Sequence, residues 1–216
     1  MGKLVVPYVE ADLKSSIENI SCLLDSVERH PIQAVPWPSF TYKPEVAFAI
    51  AHHNDCIFLK YFIKEKSIRA LHRKTNDPVF QDSCVEFFIS FDNDQRYYNL
   101  EFNCIGTCLL GYGKGQTARA LVSEEYIQRI RRHALIKSWN ENGSTLNSWE
   151  LTMAIPLEVF TFHTISSLRD KSCRVNFFKC GDELPEPHFL AWKNVVSASP
   201  NFHLPEYFGT MMFICQ

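Results

Sequence analysis

Positive charge is not in excess: 22 Lys+Arg stand against 24 Asp+Glu in 216 residues, a formal net charge of −2. A chain without a basic surplus lacks the field that draws a protein to a nucleic-acid backbone. Long apolar runs are missing as well. No stretch approaches the roughly 18 residues of a membrane span, and Met1-Gly2-Lys3-Leu4-Val5-Val6-Pro7 is too briefly apolar for an export signal. These absences predict no nucleic-acid partner, no membrane partner and a cytoplasmic location. Internal repeats, low-complexity tracts and charge blocks are absent too, and the sequence offers nothing on oligomeric state. The eight cysteines (22, 56, 84, 104, 108, 173, 180 and 215) show no short repeated spacing. They read as reduced, mostly buried thiols rather than a disulfide framework.

The common catalytic signatures are also missing. There is no G-x-S-x-G, S-x-x-K or H-E-x-x-H. Gly111-Tyr112-Gly113-Lys114-Gly115-Gln116 lacks both the third glycine of a dinucleotide loop and the GK[ST] ending of a phosphate loop. Cys104-x-x-x-Cys108 lacks the two-residue spacing of a redox or zinc pair and reads as two core cysteines. His52-His53 cannot readily chelate one ion from a strand, whose consecutive side chains point to opposite faces; with Asn54-Asp55 it reads as a turn.

Aromatic residues, by contrast, are plentiful: 17 Phe, 8 Tyr and 4 Trp. That content excludes a disordered chain. At 25.0 kDa, folding buries about 70% of the extended chain's surface, leaving about 10,000 Å² exposed and room for one sizeable core. Apolar positions at helical spacing predict a helix over 12–27, and residues 31–44, with four prolines, read as an extended connection. From residue 46 the period becomes two. Strands are predicted over 46–51, 56–63, 84–91, 97–104, 107–112, 149–155 and 174–180, with turns at His53-Asn54-Asp55, Asp92-Asn93-Asp94, Ile105-Gly106 and Asn142-Gly143. A short helix over 124–133, capped by Ser123, and a helical turn after Pro156 complete the reading. The fold class is all-β: a single antiparallel β-sandwich of immunoglobulin-like or jelly-roll type with one or two short helices. It is read as one domain over 1–216, with 1–40 as an N-terminal extension packed on it.

One hairpin can be read in more detail. Pairing Glu86 opposite Glu101 puts Val85, Phe87, Ile89, Tyr98, Leu100, Phe102 and Cys104 on one face. It puts Cys84, Glu86, Phe88, Ser90, Tyr97, Asn99, Glu101 and Asn103 on the other. The second face is read as solvated, with a ligand platform as the alternative. Paired carboxylates suit either a glycosidase or the binding of sugar hydroxyls without chemistry.

Five segments in order carry a resemblance. These are Pro78-Val-Phe-Gln-Asp-Ser-Cys-Val-Glu-Phe-Phe-Ile89 with Tyr97-Tyr-Asn-Leu-Glu-Phe-Asn103, Trp149-Glu-Leu-Thr-Met-Ala-Ile-Pro156, Arg174-Val-Asn-Phe-Phe-Lys-Cys-Gly-Asp182, His188-Phe-Leu-Ala-Trp192, and Pro200-Asn-Phe-His-Leu-Pro-Glu-Tyr-Phe-Gly209. Over residues 40 to 216 the chain resembles the family 9-like carbohydrate-binding modules, a DOMON-like sandwich often attached to xylan-degrading enzymes of carbohydrate catabolism. The resemblance implies non-catalytic binding of a mono- or oligosaccharide on an aromatic platform of Phe80 and Trp192. The hydroxyls are then met by a rim of Asp82, Glu86, Asn99, Glu101 and Asn103, with Arg119, Lys179 and His203 added from neighbouring segments. Phe80 stands where the family pattern has tryptophan, and the closing loop offers Phe202 and His203 instead of one. The family also binds calcium, with no residue of this chain assigned to it, and no other cofactor is expected. Two alternatives remain open: a small glycoside hydrolase using Glu86 and Glu101, and an interaction domain that has lost sugar binding.

Overall fold

The computed structural model describes residues 3–91, 95–141 and 143–215. The predicted turn Asp92-Asn93-Asp94 and residue Asn142 lie outside the described residues. The accessible surface is 10049 Å², in line with the value predicted from mass.

Two sheets face each other. The larger runs in spatial order β1 (Leu4–Val6), β13 (Gly209–Phe213), β11 (Ser172–Cys180), β5 (Cys84–Ser90), β6 (Tyr97–Asn103), β7 (Cys108–Lys114) and β8 (Ala118–Leu121). A short strand, β12 (Phe189–Ala191), also pairs with β11. The smaller sheet runs β2 (His30–Pro31), β3 (Glu45–His53), β4 (Cys56–Glu65), β10 (Ser144–Pro156) and β9 (Arg131–Glu141). Pairing within the sheets is antiparallel except between β1 and β13. Among the described residues no helix is long and apolar enough to cross a membrane.

Alternation in β5 and β6 sets the register, and Glu86 lies directly opposite Glu101 as the pattern predicts. A one-residue slip would exchange the two faces, so burial on both sides holds this pairing. Val85, Phe87, Ile89, Tyr98, Leu100 and Phe102 enter the core between the sheets. There Phe177 stacks between Phe48 (3.8 Å between centroids) and Phe87 (5.0 Å). The opposite face departs from its reading: it is covered rather than solvated, and Glu86, Phe88, Asn99 and Glu101 are all buried. Aromatic residues of the irregular segments before β3 and after β12 do the covering. Phe202 stacks on Phe178 at 4.1 Å, and Trp37 donates to the Ser197 carbonyl at 3.0 Å.

Two helix readings are corrected. The first helix, α1, spans Ile17–Asp25 rather than 12–27. The Asp12 carboxylate accepts from the Ser15 amide at 3.0 Å in a turn of its own, and Ser16 caps the helix by accepting from the Asn19 amide at 3.1 Å. Ile20 and Leu24 then pack on Ala49, Phe58 and Ala154 of the smaller sheet. The second helix, α2, ends at Ile127 (Glu124–Ile127), and the Ser123 side chain makes no capping bond. Residues 131–133, read as its end, begin strand β9 instead. That edge strand is exposed along most of its length, so it shows no alternation to read.

Candidate functional site

The covered face of the larger sheet encloses a cavity of about 420 Å³, within the size range of small-molecule sites. Its floor follows from strand register. Glu86 on β5, Glu101 on β6 and Leu109 on β7 form one cross-strand row, with Asn99 and Gly111 in the next. Phe80, Phe189 and Phe202 supply aromatic wall, and Asp182, Arg119, Asn201 and His203 bring polar groups around it.

Arg119 orders this polar set. Its guanidinium donates to the carbonyls of Gly115 (2.9 Å), Gly111 (3.1 Å) and Tyr97 (3.3 Å) and to the Asn99 side-chain oxygen. The Asn99 amide is thereby turned so that its nitrogen donates to Glu101 Oε1. The other Glu101 oxygen, Oε2, is buried with no hydrogen-bond partner among the described residues. The close approach of Arg119 and Asn99 depends on Gly111, where a Cβ would sit 2.8 Å from Asn99 Oδ1 and 3.0 Å from Arg119 Nε. Tyr97 and His203 share a hydrogen bond of 2.9 Å at the edge of the set.

Burial governs the protonation of these groups. It raises the Glu101 carboxyl to about 7, against the pull of Asn99 and Arg119. Burial, reinforced by the facing Glu101 charge, lifts Glu86 well above the usual carboxylate range. Asp182 is raised to about 6 by burial, and His203 is lowered to about 3 by burial and the Arg119 charge. The cavity therefore offers proton acceptors and protonated acids side by side near neutral pH.

Of the ten residues singled out from sequence, Phe80, Glu86, Asn99, Glu101, Arg119 and His203 surround this cavity. The other four lie elsewhere. Asp82 is buried in a separate network. Burial pushes its carboxyl up, but hydrogen bonds from Asn103, the His72 and Leu71 amides and Arg69 outweigh it and hold the carboxyl below its ordinary value. Asn103 belongs to that network, donating to Asp82 at 3.0 Å and to the His72 carbonyl at 2.8 Å. Lys179 points into the core between the sheets, where it pairs with Glu65 at 2.9 Å, both side chains fully buried. Trp192 packs edge-on against Phe48 and Phe177 of that core. A platform of Phe80 and Trp192 is therefore not assembled, because the two rings belong to different clusters. Sequence reading missed Asp182, Phe189 and Asn201, and noted Phe202 only as the closing loop's replacement for a tryptophan. Asp182 had a signal, continuing the alternation of Cys180 by two residues; Phe189 opens β12, a strand too short to show a period, and Asn201 lies in an irregular covering segment.

Two sets of three metal-capable donors stand close together among the described residues. One is His53, Asp55 and Cys56 at the β3–β4 turn, and the other is Cys84, Glu86 and Cys180 beside the cavity.

The sequence profile of carbohydrate-binding family 9 matches residues 18–213. The chain belongs to carbohydrate-binding family 9. This family 9 chain is similar, at 39% identity over 98% of both chains and a TM-score of 0.88, to the 2.70 Å crystal structure of a "putative carbohydrate-binding protein" from Bacteroides uniformis ATCC 8492. Two structures of a family 9 module from Caldicellulosiruptor kristjanssonii share the fold at TM-scores of 0.61 and 0.60. One is in complex with glucose, at 9% identity, covering 98% of this chain and 95% of that one. The other is in complex with cellotriose, at 10% identity, covering 100% and 95%. A search of curated proteins finds no match.

Proposed function

We propose that this family 9 chain binds a mono- or oligosaccharide, without chemistry, in the cavity between β5–β7 and the covering segments. The observation that carries this reading is the unpartnered Glu101 Oε2 on the floor of an aromatic-walled cavity. A buried acceptor left unpaired costs about 1–3 kcal/mol, which a hydroxyl donor from a ligand recovers. Sugar rings present apolar C–H faces suited to Phe80, Phe189 and Phe202, while their hydroxyls reach Glu86, Asn99 and Glu101. Membership of the family, and the saccharide complexes of its structural relatives, point the same way. Calorimetric titration with mono-, di- and oligosaccharides tests it. One or more should give a saturable heat, and Phe202→Ala should weaken that binding at least tenfold. Flat titrations across the panel sink the reading.

The facing Glu86 and Glu101, both raised by burial above the usual carboxylate range, keep a glycoside hydrolase as the second reading. Turnover of aryl glycosides that is lost in Glu86→Gln would establish it, and no turnover on a broad panel removes it.

A further inference from the structure

We propose that Cys84, Cys180 and Glu86 form a site for a thiophilic divalent cation of the zinc class, with its open coordination position facing the cavity. Strand register builds the set. Cys84 and Glu86 are two residues apart on β5 and share its outer face, and Cys180 lies directly opposite Cys84 on β11. The two sulfurs and a carboxylate oxygen lie within 4.8 Å of one another, and Cys180 Sγ stands 3.2 Å from Glu86 Oε1. Zinc bonds of about 2.3 Å to thiolate and about 2.0–2.2 Å to carboxylate hold tetrahedral ligand atoms about 3.5–3.8 Å apart. The three side chains are therefore within about 1 Å of a closed set before any ion arrives. All three are buried on paired strands in the middle of the larger sheet, which fixes their direction.

The surroundings favour a cation. Glu86, Glu101 and Asp182 bring three carboxyl groups to the cavity, and Cys180 meets two of them, Glu86 and Asp182. Among the described lining residues the sole lysine or arginine is Arg119, whose two terminal nitrogens donate to three backbone carbonyls and to Asn99, while its buried Nε has no partner among the described residues. The two sulfurs choose the kind of metal, because calcium and magnesium take oxygen ligands whereas paired thiolates select zinc and its soft neighbours. Cys180 and Glu86 line the cavity and Cys84 does not, so the uncovered side of the set faces inward to the cavity. Three protein ligands with one open position is the arrangement of zinc sites that exchange their fourth ligand.

The test uses the chain stripped of metal by a chelator under reducing conditions, with no saccharide present. Co²⁺ is added as the spectroscopic probe and Zn²⁺ as the competitor. One equivalent of cobalt should produce a thiolate-to-metal charge-transfer band in the near ultraviolet and tetrahedral ligand-field bands in the visible. One equivalent of zinc should erase both. Cys84→Ser and Cys180→Ser should each lose most of the charge-transfer intensity, while Cys108→Ser, a cysteine of the inter-sheet core, should keep it. A buried substitution can unfold the chain, so X-ray absorption at the zinc edge of the unsubstituted protein gives an independent reading. It should show two sulfur scatterers at about 2.3 Å. The proposal is overturned by the absence of a charge-transfer band, by a shell of oxygen and nitrogen alone, or by a band that survives in a folded double variant of Cys84 and Cys180. With no sugar in the cell, failure here leaves the saccharide reading standing, and flat sugar titrations leave the metal site standing.

Discussion

Glu101 sits where its charge opposes folding and favours binding. Its carboxyl titrates near 4.5 in an open chain and near 7 in the fold, chiefly through burial. Between those values the folded state holds the proton that the unfolded state has released, so stability is fully present below about pH 4.5 and declines as pH rises through about 7. The loss is on the order of 3 kcal/mol, taking one pKa unit as about 1.4 kcal/mol. Urea midpoints measured at pH 5 and pH 8 should show this decline in the unsubstituted protein and a flatter profile in Glu101→Gln. Equal slopes in the two proteins would remove Glu101 as the cause. Saccharide affinity should run the other way. An ionised acceptor binds a hydroxyl about twice as strongly as a neutral one, so affinity should rise between pH 6 and pH 8 and lose that rise in Glu101→Gln. Titrations at both pH values check the sign.

At the level of elements, β7 and β8 matter because Arg119 must cross β7 to reach Asn99, and Gly111 is the opening it crosses. Gly111→Ala places a methyl 2.8 Å from Asn99 Oδ1 and 3.0 Å from Arg119 Nε, so the arginine or the amide must move. Saccharide affinity should fall about five- to tenfold with the circular dichroism spectrum unchanged, the cost of one disturbed hydrogen-bonded pair. An affinity equal to that of the unsubstituted protein would mean that the Arg119–Asn99 contact does not shape the floor. The same elements show what a sequence discloses. Strands β5 and β6 were legible, register included, because each has two faces of different character. Strand β9 was not, since its exposed residues on both sides erase the period. The walls of the cavity were legible only in part. Phe80 lies beside a readable strand, whereas Phe202 and Asn201 sit in a segment whose shape comes from ring packing rather than from backbone pairing.

On the scale of the whole molecule, the two sheets are tied by a buried polar link as well as by apolar packing. Lys179 on β11 pairs with Glu65 at the end of β4 and reaches His188 at 2.8 Å, while Trp149 of β10 donates to Glu65 at 2.6 Å. Removing one member strands a charge in the core, which costs about 3–5 kcal/mol. Lys179→Met should therefore lower the urea midpoint by that equivalent while leaving saccharide affinity of the folded fraction unchanged. A loss of affinity without loss of stability would instead return Lys179 to the binding site. Nothing in the strand alternation separated this residue from a ligand contact, because a lysine on an inward face reads in the sequence like a lysine on a rim.

The covering of the larger sheet has a consequence in time. The cavity floor comes from residues 86 to 111, but Phe202 and His203 close it from near the other end of the chain. During synthesis the floor leaves the ribosome well before this closing segment does. Pairings so distant in sequence form late, because the loop between them must be closed before any contact rewards it. Ligand capture should then begin only when the last quarter of the chain has docked. A bound ligand would thus report a finished fold, and a stalled nascent chain ending before residue 200 would carry every floor residue and still capture nothing.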